Sequence, residues 1–228
     1  MTGQIPDLAI AGELMAFNGW PAEALEFYEG LEADNSKSYW TAHKADYDRD
    51  VHAPMTALLA DLEAEFGEGR VFRPYRDLRF SADKTPYKTH IGATLARGGY
   101  LQLSAHGLAA GHGMYQMAPD QLERYRQAVD DDKLGEQLRK IIAKAGRQDI
   151  DVHGSQSLKT APRGYPKDHP RIDLLKHKGL YAWRQWPVDP WLGTAQARDQ
   201  VTGFLRAARP LNEWLGTHVG ESRLPRDR

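Results

Sequence analysis

Arg73, Arg76 and Arg79 recur every third residue, and Lys84 and Lys88 follow within nine positions. A planar guanidinium presents a fixed fork of N–H donors that matches carboxylate or phosphate oxygens, so this density of arginine suits an anionic ligand. Asp77 lies among them and is placed either to hold one arginine in register or to move a proton beside a bound anion. Pro86 restricts the backbone so that Lys84, Tyr87 and Lys88 are presented from a turn, Tyr87 adding a hydroxyl. A second basic stretch runs from Lys159 to Pro170, where three prolines and a glycine within nine residues impose a stiff loop, a common place for functional groups. It offers Lys159, Arg163 and Tyr165, with Lys178 further on, as ligand-binding candidates. His169 beside Asp168 is a candidate for acid–base work, but Asp168 is better suited to cap a helix over Ile172 and Leu175.

The 228 residues hold 30 Lys and Arg against 31 Asp and Glu, a formal charge of -1. Neutrality hides a partition, because residues 73–90 and 153–179 are both net basic and the remainder is net acidic. An acidic body with two basic stretches is expected when those stretches meet around an anion, a phosphorylated or carboxylated small molecule. Two other readings stand beside it. The same stretches could follow a nucleic-acid backbone, against which the overall charge argues. Alternatively Asp77 and Asp83 neutralise Arg73, Arg79 and Lys84, Arg76 and Asp77 are buried as a pair, and the protein is a structural or protein-binding module.

Other chemistries lack their residues. With no cysteine there is no thiol nucleophile, cysteine zinc site or iron–sulfur cluster. His106 and His112 flank a glycine-rich segment, yet no third ligand at a recognised spacing accompanies them, so no metal is expected. Phosphate-loop, dinucleotide and Gly-x-Ser-x-Gly signatures are missing, and no cofactor is expected. Trp183 and Trp186 beside Arg184 suit stacking on bases or sugars, though such aromatics more often pack a sheet against a helix. Leu8–Phe17 is apolar but interrupted by Glu13, no basic residue precedes Lys37, and no stretch is long enough to span a bilayer. The reading is a soluble, cytoplasmic protein without a membrane partner.

The elements that must position these groups follow from periodicity. Trp40, His43, Tyr47, Val51, Met55, Leu58, Leu62 and Phe66 share one helical face, with Asn35 or Ser36 as cap, Gly67 as terminator and Pro54 as a kink or break. A shorter helix carries Leu25, Tyr28 and Leu31. Val71–Ser81, Ile91–Leu95, Tyr100–Ser104 and Gly113–Met117 alternate as strands, separated by turns at Arg97-Gly98-Gly99 and Gly107–Gly113. Helical spacing returns at Leu122–Val129 and Leu134–Ala145, the latter capped by Asp130 or Asp131. Gln148–Pro170 reads as irregular or partly extended, and Leu180–Trp186 as a strand. Asp189-Pro190 opens a last helix whose end Pro210 disturbs. The sum is an α+β domain on an antiparallel meander over 17–218, with an N-terminal extension over 1–16 and a polar tail over 219–228 that frays from Glu221.

The run Arg73-x-x-Arg76-Asp77-x-Arg79-Phe80, followed by Asp83-Lys84-x-Pro86-Tyr87-Lys88, resembles the signature of a bacterial family, domain of unknown function 2461. Asn35–Trp40, Gly113-Met114-Tyr115 and the loop from Lys159 into Leu174-Leu175-Lys176-His177-Lys178 support the resemblance over about Phe17 to Trp214. It departs at Ser38-Tyr39-Trp40, where a charged residue followed by Trp-Phe is the family's pattern. The resemblance implies a compact bacterial protein, and it implies no cofactor or catalytic residue.

Overall fold

Ser36 opens the helical run that periodicity predicts, its Oγ accepting the Tyr39 N–H at 3.2 Å. The computed structural model describes residues 16–77, 79 and 84–225. After α1 (Ala22–Ala33), the run comprises α2 (Lys37–Ala42), α3 (Lys44–Asp46), a π-helical segment Tyr47–His52 and α4 (Ala53–Phe66). The wider turn falls just ahead of Pro54, whose missing N–H would leave a regular ladder incomplete there. Gly67, at φ 80°, ends α4 with its N–H on the Glu63 carbonyl.

Six antiparallel strands come next: β1 (Gly69–Val71), β2 (His90–Leu95), β3 (Tyr100–Ser104), β4 (Gly107–Met114), β5 (Asp151–Ser155) and β6 (Gly179–Trp186), in the order β1-β2-β3-β4-β6-β5. The meander holds through β4, and β6 then inserts between β4 and β5. Two expectations change. The strand predicted over Val71–Ser81 stops at Val71, because Pro74 and Pro86 each lack a donor. Beyond Val71 there remain the Phe72 N–H on the Gly92 carbonyl and one isolated bridge, Tyr75 to Tyr87, bonded through Arg76 N–H to the Pro86 carbonyl and Lys88 N–H to that of Pro74. Leu78, Phe80 and Ser81 of that expectation, and Asp83 of the ion pairs expected beside it, lie outside the described residues. Gly107–Gly113 is not a turn but most of β4. A Cβ on Gly107 would stand 2.3 Å from the Trp186 carbonyl oxygen and one on Gly113 2.7 Å from that of Leu180, so these glycines permit close strand approach.

Helices α5 (Pro119–Asp130), α6 (Asp132–Gly146), α7 (Ile172–Leu175) and α8 (Gln196–His218) complete the chain. The Asp131 carboxylate caps α6 by accepting the Leu134 N–H at 2.9 Å. Asp189 caps a short 3-10 turn, Pro190–Gly193, rather than the last helix, and α8 continues through Pro210 to His218. α4 covers β1 and β2, α8 covers β4 and β6, and α6 packs on β5. They bury one sheet face, with Ile91, Leu95, Leu101, Leu103, Leu108, Ala110, Leu180 and Ala182 in the core. The tail expected to fray is pinned as far as Arg223: Asp120 accepts its N–H, and Arg124 donates to the Val219 and Glu221 carbonyls. Among the described residues no helix is long and apolar enough to cross a membrane.

Candidate functional site

The strand order places the two basic stretches apart. The first joins β1 to β2 at one edge, at the end of the sheet marked by His90 and Ser104. The second joins β5 to β6 at the far edge and the opposite end, where Ser155 pairs with Gly179. The shared hollow expected between them is therefore replaced by two diagonal corners.

At the first corner, Asp77 accepts the Arg79 backbone N–H and, at 3.0 and 2.7 Å, the Arg79 Nε–H and Nη2–H. That pairing holds its carboxyl down at about 2, which leaves a carboxylate too weakly basic for proton transfer near neutrality. Arg76 donates to Thr85 Oγ1, so the mutual Arg76–Asp77 burial expected of a structural module is replaced by Asp77–Arg79 and Arg76–Thr85. Tyr87 is 5% exposed, its ring stacked on Trp40 at 4.5 Å and 10°. Asn35 fixes it by accepting its backbone N–H and donating to its carbonyl, at 3.0 and 3.1 Å. The tyrosine expected to present a hydroxyl instead anchors the hairpin. Arg73 and Lys84 are exposed, and Lys88 donates to the Arg73 carbonyl while its ammonium lies 5.4 Å from the Phe72 ring.

At the second corner, Lys159 and Arg163 are exposed and Tyr165 packs against the core edge. Lys178 is held through its backbone, between Ser155 and Met117. His169 Nδ1 accepts the Arg171 N–H and its Nε2 lies 3.0 Å from Asp130, so the ring locks the loop to α5. Asp168 does not cap α7: the helix begins after Arg171 with no side-chain cap, and the Ile172 N–H turns back onto the His169 carbonyl. Arg171, counted in the basic stretch by sequence, is 3% exposed and donates to the Val129 and Asp130 carbonyls and to Asp132.

Chemistry concentrates elsewhere, in a cleft of about 520 Å³ between the end of α4, the β2–β3 turn and α8. Arg97 reaches it from the turn while donating to the Glu65 carbonyl at 3.1 Å. Arg209 and Asn212 come from successive turns of α8, and His112 from the helix-covered face of β4. Glu65 is shared between Arg206 and Arg209, and these bonds hold it at about 2. Arg209 also lies over the Phe66 ring at 5.7 Å, which fixes its guanidinium at the rim. His112 is 5% exposed, and neither ring nitrogen is hydrogen-bonded among the described residues. Burial, and after it the Arg209 guanidinium, pushes the imidazole down to about 4, so it is neutral at pH 7. Nδ1 is sealed from solvent without a partner. An orphaned lone pair costs less than an orphaned N–H, which assigns the ring proton to Nε2.

Sequence reading missed this site because its members are scattered over residues 64–213 and Gly107–Gly113 was read as a turn. The signal available was His112 inside a glycine- and alanine-rich run, a polar residue where a strand core needs apolar ones. Among the described residues no group of three or more metal-ligating side chains gathers. His106 stands in the β3–β4 turn, 3.6 Å from Glu32 and away from His112 at the other end of β4.

The comparisons with known proteins name no reaction. No curated protein matches. Among solved structures, a conserved hypothetical protein from Pyrococcus furiosus is similar at 12% identity and a TM-score of 0.35, over 75% of this chain and 98% of that one. The model of the family DUF2461, described as a conserved hypothetical protein, matches residues 23–214. The chain belongs to this family, domain of unknown function 2461.

Proposed function

We propose that the protein binds a small phosphorylated or carboxylated molecule in the cleft between α4, the β2–β3 turn and α8. Arg97 and Arg209 take the anionic group, and neutral His112 donates its Nε2–H to the same group. Asn212 and Glu213 at the same wall accept from hydroxyl or amino groups on the rest of the ligand. The observation that carries this reading is His112, buried without a hydrogen-bond partner against a cleft that two arginines line. The Nε2–H has no partner among the described residues and is left for a ligand oxygen, while the sealed Nδ1 lone pair stays unpaired whether or not a ligand binds. Uncharged imidazole is the useful form, because it donates without needing a counter-charge of its own.

Titration calorimetry with inorganic phosphate and a panel of phosphorylated and carboxylated metabolites tests this reading. Binding is expected for at least one anion, weakened at least tenfold by Arg209→Ala or His112→Phe and unchanged by Lys159→Ala at the distant corner. Anion binding that survives both cleft variants removes the reading.

A further inference from the structure

The second face of the sheet carries no described helix, and the rings on it form a continuous line. Alternation along the strands puts Arg70, Phe72, Thr94, Tyr100, Gln102, Trp183, Tyr181 and His153 opposite the core face. Phe72 lies 6.3 Å from Tyr100, Tyr100 6.2 Å from Trp183, Trp183 6.4 Å from Tyr181, and Tyr181 5.2 Å from Tyr115. The line crosses the sheet diagonally, from the β1 edge to the end of β6 where the second basic stretch leaves. Glycines make its floor: a Cβ on Gly92 would stand 2.9 Å from the Tyr100 hydroxyl, and one on Gly111 3.1 Å from the Trp183 ring. Phe72 and Tyr115, at its two ends, are 37% and 67% exposed.

Tyr100 and Trp183 lie nearly parallel at 24° and Tyr181 stands edge-on to Trp183 at 82°, all three half-buried, so the line offers bases both ring faces and ring edges, and its surroundings decide the occupant. Arg70, Arg73 and Lys88 stand at the Phe72 end, Lys88 directly over that ring, while Asp151 is the acidic residue in register with Trp183. Lys159 and Arg163 are exposed on the loop that departs from the other end. A neutral sugar needs no such cations, whereas a chain of bases joined by phosphates uses both rings and charges. Thr94, Gln102 and Gln185 beside the rings supply donors and acceptors for base edges. The two basic stretches thus mark the ends of one track.

We propose that this uncovered sheet face binds single-stranded nucleic acid, its bases stacked along Phe72, Tyr100, Trp183, Tyr181 and Tyr115 and its phosphates met by Arg70, Arg73 and Lys88. The face is separate from the cleft at His112, and either can stand without the other. The net charge of -1 is no obstacle, because the field at the track is set by local cations.

Fluorescence anisotropy with labelled twelve-nucleotide oligo(dT) and oligo(U), using the full chain, tests the proposal. Binding is expected to weaken as salt rises, with a log–log slope near -2 for about three phosphates neutralised. Arg73→Ala and Lys88→Ala, both at hairpin surface positions, are each expected to flatten that slope by about 0.7. Trp183→Ala is expected to weaken binding about tenfold or more at fixed salt, as is Phe72→Ala at the exposed end of the track. Heparin, a polyanion without aromatic rings, is expected to compete poorly. Absence of binding overturns the proposal. So does binding indifferent to both ring variants, heparin competing as well as oligonucleotide, or a preference for neutral oligosaccharide.

Discussion

Tyr100 and Trp183 stand nearly parallel on either side of Gly111, their ring centroids 6.2 Å apart and their planes 24° apart. The pair exists because residue 111 has no side chain. Gly111→Val would place branched carbon where the Trp183 ring lies, since even a bare Cβ meets that ring at 3.1 Å. A destabilisation of about 1–3 kcal/mol is expected from the displaced indole, together with loss of oligonucleotide binding. Urea unfolding and anisotropy on the same sample check both.

Arg171 ties the β5–β6 loop to the α5–α6 junction, and Gly135 leaves room for it, a Cβ there falling 2.5 Å from Arg171 Nε. Arg171→Met keeps the apolar stem but strips donors from the Val129 and Asp130 carbonyls and from Asp132. A loss of about 3 kcal/mol is expected by urea unfolding. Anion affinity at the cleft should be unaltered, because this arginine is already neutralised internally.

Asn35 holds the first basic stretch through two bonds to the Tyr87 backbone. In Asn35→Ala, the Trp40–Tyr87 stack loses its alignment and the hairpin opens locally. Hydrogen exchange at the Arg76 and Lys88 amides, which close the bridge, is expected to accelerate about tenfold or more while core strand amides keep their protection.

Acid sensitivity arises from His112. The unfolded chain takes up this proton near the ordinary histidine value and the folded chain only near 4, so between those values the unfolded state holds more protons. The stabilisation is therefore complete above about pH 6.5 and is lost as pH falls toward 4, a change of about 3 kcal/mol. Burial holds His90 and His177 down too, so they add in the same direction. Urea denaturation at pH 7 and pH 5 should show a smaller difference in His112→Phe than in the parent chain.

Local rules made much of the fold legible. The Ser36 and Asp131 caps, the Gly67 stop and the strands at Ile91–Leu95, Tyr100–Ser104 and Leu180–Trp186 follow from hydrogen-bond donors and apolar spacing within a few residues. Glycine was the ambiguous letter: at 107, 111 and 113 it serves close packing between strands and under rings, which looks like turn chemistry when neighbours are unknown. Charge was ambiguous in the same way. Arg171 counts toward a basic stretch and Asp77 toward proton transfer in one dimension, yet one is buried on carbonyls and the other is chelated by Arg79. Trp183 and Trp186 differ by three positions and fall on opposite sheet faces, so one lies on the open track and the other in the core. Pairing β6 between β4 and β5, which sets the two basic stretches at opposite corners, depends on long-range contacts that no local pattern encodes.

The most direct measurement of the central claim is the nitrogen-15 spectrum of the His112 ring across pH, with and without the tightest-binding anion. The expected result is a neutral ring protonated on Nε2, titrating near 4 in the free protein, with the Nε2–H resonance moving downfield and the titration moving upward when the anion binds. A ring that titrates near the ordinary histidine value of about 6.5, or one unmoved by an anion the protein demonstrably binds, would contradict the account.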